Sequence, residues 1–181
     1  YLNIFNPEDQ KSKSKKDIFL EAKKQFNLMK ENSVLKKDDT NSFYIYKITT
    51  QGHAQVGIIG TAKLSAYDNL HIRGHEEIYL ERSQNRFNQI NNLNAQIGPI
   101  YVIYPDNEKL AKLIKEHIKV KPVYSFDALD RCKHELWIIN EKNSVLEISE
   151  IFNTINRIYI ADGHHRIEAL SKLSEFKKHQ N

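Results

Sequence analysis

Stretches with the character of β-strands alternate along this chain with stretches that have the period of amphipathic helices. Strands are indicated where β-branched and aromatic residues cluster, and helices where apolar residues recur at spacings of three and four. The pattern predicts strands at 43–50, 54–64, 100–104, 121–126, 134–139 and 157–161, helices at 16–31, 78–94, 107–118 and 145–154, and a last helix that buries Ile167, Leu170 and Leu173. Interleaved elements of this kind indicate an α+β fold. No internal repeat or linker rich in Pro, Gly or Ser divides them, so we expect a single domain over residues 1–181.

The connections between these elements carry more specific expectations. Residues 66–77 are polar and have no clear period, which predicts a loop. Gly57 and Gly60 interrupt the second strand and predict a bulge or a close approach of another group to the backbone. The candidate helix caps are Asp106 for the helix at 107–118, and Asn143 or Ser144 for the helix at 145–154.

Composition and charge exclude several classes of protein. No apolar run approaches the roughly 20 residues needed to cross a bilayer, so we expect no membrane span. The net charge is +4, and lysines are concentrated at 11–16, 23–24 and 36–37. These lysines are accompanied by no arginine, which favours a solvated face and makes DNA an unexpected partner. Cys132 is the single cysteine, so no intramolecular disulfide is possible and the cytoplasm is the expected compartment.

The strongest candidate for a functional site is the turn Asp162-Gly163-His164-His165-Arg166, between the last strand and the last helix. Gly163 lets the backbone turn tightly and approach a ligand closely. The first N–H groups of the helix have no intrahelical partner and lie at the positive end of its dipole, so they favour an anion such as phosphate. Arg166 adds a planar, permanently charged guanidinium. His164 and His165 are able to donate to phosphate oxygens or to transfer protons near neutral pH.

Two interpretations are open for Asp162. Its carboxylate, at the end of a strand, is suited to hold a Mg²⁺ ion that bridges phosphates, or it caps the helix that follows. His164 and His165 are adjacent on a helix and point about 100° apart, so they are poorly arranged to bind one metal ion. We therefore do not expect a structural zinc site.

A second candidate is the element His75-Glu76-Glu77, just ahead of the helix predicted at 78–94. Glu76 or Glu77 is a candidate general base. Arg82 and Arg86 lie four residues apart on that helix and are candidates for binding a further phosphate. The alternative is an exposed acidic loop followed by a surface pair of arginines.

Several short motifs occur in a fixed order along the chain. They are YIYK at 44–47, QVGIIG at 55–60, HE at 75–76, AQIGPI at 95–100, YPD at 104–106, LWI at 136–138 and YIADGHHR at 159–166. Together they resemble a widespread bacterial family of unknown function that is recognised by a His-Glu element and a later (Tyr/Phe)-Ile-Ala-Asp-Gly-His-His-Arg motif. The family's opening segment is missing and the chain begins at Tyr1 rather than at a methionine, so we expect a piece of a longer protein.

The Asp-Gly-His-His-Arg turn is also similar to the phosphate-binding turn of the ParB/sulfiredoxin-like fold. That superfamily includes partition proteins that bind nucleotides, sulfiredoxins, and kinases that phosphorylate free serine. The resemblance implies a mixed sheet with flanking helices, with a strand–helix–hairpin block inserted between Glu76 and Asp162. It also implies that Glu76, with His75 beside it, is the catalytic base on a serine hydroxyl.

In the same resemblance, the phosphate cradle consists of Gly163, His164, His165 and Arg166, and Asp162 serves a metal ion or the geometry of the turn. ATP or ADP and Mg²⁺ are the implied cofactors, and a nucleotide and a small hydroxyl compound are the implied partners. A sulfiredoxin activity is not expected, because it requires a cysteine at the position of His164. The alternative is a ParB-like module without catalysis, which binds a nucleotide and regulates a protein or DNA partner.

Overall fold

The computed structural model describes residues 14–179, and within them the chain forms six helices and seven strands. In chain order they are α1 (Lys15–Glu31), β1 (Phe43–Thr50), β2 (His53–Ile59), α2 (Ser65–Asp68), β3 (Ile72–Arg73), α3 (Leu80–Leu93), β4 (Tyr101–Ile103), α4 (Glu108–His117), β5 (Tyr124–Asp127), β6 (Lys133–Ile139), α5 (Lys142–Thr154), β7 (Ile158–Asp162) and α6 (His164–Lys178). The α+β class is therefore confirmed.

The strands form two sheets, and the expected mixed sheet is the smaller of the two. The first is antiparallel, with four strands in the order β2-β1-β6-β5. The second has three strands in the order β3-β7-β4 and is mixed, because β3 is parallel to β7 while β4 is antiparallel to it. The block between Glu76 and Asp162 contributes strands to both sheets: β4 pairs with β7, whereas the hairpin of β5 and β6 pairs with β1.

The described residues group into two compact units. The first unit takes in the described residues up to Lys37, Lys63–Tyr104, and the described residues from Arg157 onward. The second unit takes in Asp38–Ala62 and Pro105–Asn156. The first unit therefore holds the three-stranded sheet with α1, α2, α3 and α6, and the second holds the four-stranded sheet with α4 and α5. The single-domain organisation expected from the sequence stays a prediction.

Apolar faces of three helices build the interior of the first unit. Ile90 on α3 packs with Ala169 and Leu173 on α6, and Ala22 on α1 packs with Leu93 on α3. In β7 the isoleucines are buried and alternate with more exposed residues, as expected for a strand with one face toward a core. None of the described helices is both long enough and apolar enough to cross a bilayer.

The second unit is built on a regular antiparallel sheet. β1 pairs with β2 on one side and with β6 on the other, without a register shift in either ladder. Ile45, Trp137 and Ile139 are buried on one face of this sheet. The indole N–H of Trp137, the single tryptophan of the chain, donates to the carbonyl of Val120 at 2.8 Å. The buried face and this hydrogen bond fix the ring inside the unit.

The segment 66–77 is not the plain loop that its polar sequence predicts. It contains most of the short helix α2 and the two-residue strand β3. Neither element is long enough to produce a recognisable period. The strand exists because Ile72 and Arg73 pair with β7, far along the chain.

Both predicted helix caps were misplaced. Asn107, rather than Asp106, caps α4, because its side-chain oxygen accepts the N–H of Leu110 at 3.0 Å. Helix α5 begins at Lys142, so Asn143 and Ser144 lie within the helix and do not cap it. In both cases another polar residue lies one or two positions from the predicted cap. The local sequence alone did not show which of the two residues is at the N-cap.

The predicted bulge in the second strand is wrong, since β1 and β2 pair continuously from the turn to Ile59. A close approach is confirmed at Gly60, where a Cβ atom would lie 2.5 Å from a ring carbon of Phe43, but not at Gly57. Of the clustered lysines, those at 11 and 13 lie outside the described residues. Lysines 23, 24, 36 and 37 are exposed, as a solvated face requires.

Candidate functional site

The turn from β7 into α6 has the backbone geometry of an anion site. Gly163 is the N-cap of α6, and its φ of 103° and ψ of 23° lie in the left-handed region that favours glycine. No side chain caps this helix. The N–H of Arg166 donates to the carbonyl of Gly163 at 2.9 Å, and the N–H groups of His164 and His165 lie ahead of it at the positive end of the helix dipole, where an anion is favoured.

A bulge in β7 lies directly before the turn. Asp162 pairs with Tyr101 of β4 while Ile160 pairs with the next residue of β4, so Ala161 is the extra residue. A bulge increases the local twist and redirects the side chains that follow it. The carboxylate of Asp162 is consequently largely exposed at the end of the strand, with 74% of the side chain accessible.

Arg166 folds back over the turn from the first turn of α6. Its Nη2 lies 2.5 Å from Oδ2 of Asp162, which forms an ion pair four residues apart. A Cβ atom on residue 163 would lie 2.8 Å from both Nε and Nη2, so any other residue here would require the guanidinium to shift. The Nε of Arg166 is buried and has no hydrogen-bond partner within residues 14–179. Asp162 thus holds the guanidinium of Arg166 over the turn, and the Nε–H of Arg166 remains as an unused donor.

His164, the first residue of α6, is 2% exposed. Its Nε2 accepts the backbone N–H of His75 at 3.3 Å. Its Nδ1 lies 3.1 Å from Oε2 of Glu76, although the ring N–H direction is not aligned with that oxygen. A Cβ atom on Gly74 would lie 3.0 Å from the imidazole, so the glycine lets the ring come close to the loop.

The His-Glu element reaches the turn because of the parallel pairing of two strands. β3 and β7 are parallel neighbours, with Arg73 opposite Tyr159, so the residues that follow each strand lie at the same edge of the sheet. Glu76 is half exposed there, with 54% of its side chain accessible. The His75 ring packs edge-on against His164 at 4.7 Å between centroids, and its Nε2 lies 4.0 Å from Oε1 of Glu76. One carboxylate therefore lies between two imidazoles.

His165 is half-buried and lies on another side of the helix. Its ring centroid is 5.8 Å from that of Tyr79, and its buried Nδ1 has no hydrogen-bond partner in the part of the chain that the structure describes. The guanidinium of Arg82 lies over the Tyr79 ring, 5.4 Å from the centroid. Arg82 is thereby engaged with an aromatic face, whereas His165, next to Gly163 and Arg166, retains a nitrogen that pairs with none of the described residues.

Arg86 and Arg166 line the same small recess, together with Gln96 and Gly98. The packing of α3 on α6 brings the two guanidinium groups to this place. Nη1 of Arg86 donates to Oε1 of Gln89 at 3.0 Å, so Arg86 is oriented by its own helix. The structure therefore brings both arginines, as well as Glu76 and the turn, into the first unit.

Sequence reasoning assigned no site role to three of the residues around these groups: Gly74, Tyr79 and Gly98. A glycine directly before the His-Glu element was a signal that the chain comes close to another group there. Gly98 belongs to the AQIGPI motif, which was quoted for resemblance and not connected to Arg166. Tyr79 carries no such signal, because its role depends on where His165 lies.

The site offers limited ligands for a metal ion. Among residues 14–179 no three His, Cys, Asp or Glu side chains converge as a metal would require. Asp162 supplies one carboxylate, which also pairs with Arg166. This fits Mg²⁺ only in the common arrangement in which water and substrate phosphates complete the shell. The use of ATP or ADP with Mg²⁺ stays a prediction.

Comparison with known proteins identifies the family of the chain. The sequence profile of a protein family of unknown function, DUF1015, matches residues 1–181. The chain therefore belongs to the DUF1015 family. No curated protein and no solved structure matches the sequence.

Proposed function

We propose that this member of the DUF1015 family is a nucleotide-dependent phosphotransferase that acts on a small hydroxyl compound, with free serine as the first candidate. The observation that carries the proposal is the distance of 3.1 Å between Glu76 and the imidazole of His164, the first residue of the uncapped helix. It supports a base and an anion site close enough to serve one reaction. The similarity of the turn to that of free-serine kinases in the ParB/sulfiredoxin-like fold supports the substrate class.

Phosphoryl transfer requires positioning and charge neutralisation more than covalent help from the protein. The substrate oxygen forms a bond to the terminal phosphorus of the nucleotide, its proton passes to the carboxylate of Glu76, and the bond to the leaving phosphate oxygen breaks. The leaving nucleotide retains the electron pair as ADP or AMP, depending on the donor. The N–H groups at the start of α6 and Arg166 stabilise the charge on the phosphate oxygens.

Asp162 is the residue that would hold Mg²⁺, which when bound supplies further neutralisation of the phosphates. The same carboxylate orients Arg166, so its replacement affects both tasks. Arg86 and Arg166 at one recess favour a ligand with more than one phosphate group over a monophosphate. These requirements suit a protein of the cytoplasm, where nucleotides are supplied.

The base is tested by Glu76→Gln, with Glu77→Gln as the matched control. ATP and ADP are each incubated with a panel of small hydroxyl compounds including serine, and phosphorus NMR follows the transfer. We expect Glu76→Gln to lower kcat by about 100-fold or more while the nucleotide Kd changes less than about twofold, because a positioned base contributes on this scale. Glu77→Gln should retain turnover. Full turnover by Glu76→Gln would remove the base from the proposal.

The cradle is tested by Arg166→Ala, with Arg157→Ala as its control near the opposite end of β7, where the side chain is exposed. Loss of a guanidinium bonded to phosphate should raise the nucleotide Kd by about tenfold, since a charge-assisted hydrogen bond of this kind contributes about 1.5 kcal/mol or more. Calorimetric titration measures both variants. Equal affinities for the two would exclude Arg166 from the site, and tight nucleotide binding without transfer to any compound would favour the non-catalytic regulatory module.

A further inference from the structure

We infer that His164 is a positioning residue for Glu76, with its imidazole neutral and its proton on Nδ1, and that it is not a ligand of the phosphate. The inference rests on the proposed role of Glu76 as base. It assigns different tasks to His164 and His165, whereas the residue types and the resemblance place both of them in the phosphate cradle.

The tautomer follows from a backbone hydrogen bond. The N–H of His75 is a donor that has no other state, and it points to Nε2 of His164 at 3.3 Å. Nε2 must therefore keep its lone pair, and in a neutral imidazole the proton then lies on Nδ1. The ring is 2% exposed, so water is not available to replace this arrangement.

The remaining ring nitrogen has the carboxylate of Glu76 within reach as an acceptor. Nδ1 is buried and lies 3.1 Å from Oε2 of Glu76, with the N–H direction turned away from the ideal line. A buried donor without a partner is costly, and the Glu76 side chain is half exposed, so solvent rather than packing surrounds much of it. A small rotation of the carboxylate completes the bond. His164 thus holds Oε2, which leaves Oε1 as the oxygen that accepts the proton of the substrate hydroxyl.

Gly74 secures this geometry from the other side. The imidazole edge lies so close to the loop that a Cβ atom at position 74 would be 3.0 Å from Cδ2. Both nitrogens of His164 face the loop at 75–76, so the ring has no donor left for a phosphate oxygen. His165 differs, because its buried Nδ1 has no partner among the described residues. The phosphate contacts therefore come from His165, Arg166 and the helix N–H groups.

The tautomer is tested directly in the wild-type protein by nitrogen-15 NMR of the histidine rings, with His164→Asn used to assign the signal. We expect a neutral ring with protonated Nδ1 at neutral pH, and slow exchange of that proton with water. In Glu76→Ala the exchange should become at least tenfold faster, because the acceptor is gone. Protonation at Nε2, or an exchange rate unaffected by Glu76→Ala, would overturn the inference whether or not any transfer is found.

Two substitutions then separate positioning from phosphate binding. The side-chain nitrogen of asparagine matches Nδ1 of histidine, and that of glutamine matches Nε2, so His164→Asn should retain at least tenfold more kcat than His164→Gln. Neither should change the nucleotide Kd by more than about twofold, whereas His165→Gln should raise it severalfold. A rise in Kd for both His164 variants with kcat unchanged would show that His164 binds phosphate. If no variant and no wild-type sample transfers phosphate, the proposed function fails while the NMR result still decides the tautomer.

Discussion

Among the described residues two histidines are almost fully buried, and each unit contains one of them. His134 lies within β6 of the second unit, stacked on Phe126 of the neighbouring strand at 5.2 Å between centroids. Its Nδ1 lies 2.6 Å from the hydroxyl of Tyr46, and its Nε2 lies 3.6 Å from Asp130. His164 lies at the start of a helix in the first unit, against a loop and a half-exposed carboxylate.

The difference lies in what surrounds each ring. The partners of His134 belong to its own sheet and to the turn that leads into its strand, so they form with the sheet itself. The partner of His164 on the solvent side is Glu76, which is free to contact a substrate as well. A buried histidine enclosed by its own sheet contributes to stability. A buried histidine beneath an exposed carboxylate instead restricts the orientation of that carboxylate, which under the proposed function would position the base.

The strongest test of this comparison is His134→Ala. Removal of the ring leaves a cavity beside Phe126 and takes away the partner of the Tyr46 hydroxyl, so the free energy of unfolding should fall by about 2–3 kcal/mol. Urea unfolding followed by Trp137 fluorescence reports on the second unit. The exposed His53→Ala serves as control and should change stability by less than about 0.5 kcal/mol. A loss of nucleotide affinity in folded His134→Ala would contradict the division of roles.

Gly74→Ala tests His164, the buried histidine of the first unit. The added methyl group lies 3.0 Å from the His164 ring, so the ring or the loop must shift, and overpacking of this kind costs about 1–2 kcal/mol. We expect transfer to slow by about tenfold, because Glu76 is displaced with the ring. Gly57→Ala is the matched control, since no atom lies within 4 Å of a Cβ there. Stability is measured by urea unfolding and rate by phosphorus NMR, and equal rates for the two variants would indicate that the ring position is unimportant.

The smallest effect is expected at low pH, where protonation of Glu135 in the second unit lowers its contribution to stability. The hydrogen bond from Lys47 holds the pKa of this carboxyl below its ordinary value of 4.5, and the nearby charges of Lys47 and Lys133 act in the same direction. Because the folded pKa is depressed, the contribution to stability is present above about pH 4.5 and is lost as the pH falls through the folded value. Glu135→Gln should therefore cost about 1 kcal/mol at pH 7, and progressively less as the pH falls below 4.5 and through the folded pKa.

The control for that experiment is Glu150→Gln, at an exposed position on α5. Its difference from wild type should stay small at both pH values. A Glu135→Gln difference that persists unchanged at low pH would mean that the stability comes from packing of the side chain and not from its charge.

Periodic segments of the sequence predicted most of the fold. The helix at 16–31 and the strand at 43–50 match the observed α1 and β1 to within one residue, because apolar residues recur at helical spacing in the first and β-branched and aromatic residues cluster in the second. Elements without a period were not predicted. Strand β3 has two residues and forms because it pairs with β7. The division of strands between two sheets also depends on such distant pairings, which no local pattern records.

The candidate site, like the fold, was predicted only where its features are local in the sequence. The turn at 162–166 was identified from its residues alone, since a strand, a glycine and a helix start are local features. Resemblance, rather than spacing, connected Glu76 to that turn. Gly74 was not identified, because the need for a glycine there depends on the ring of His164, which lies far along the chain.

The middle strand of the three-stranded sheet has a consequence for how the protein is made. β7 follows both of its neighbours, β3 and β4, in the chain, while all strands of the four-stranded sheet precede it. Because the chain leaves the ribosome N-terminus first, the four-stranded sheet is able to form before β7 is available to pair with β3 and β4. The pairing of Ile72 with Ile158 closes a long loop and is correspondingly slow. The loop of Glu76 therefore meets the helix of His164 only after β7 has been made, so a nascent chain acquires its candidate site later than its four-stranded sheet.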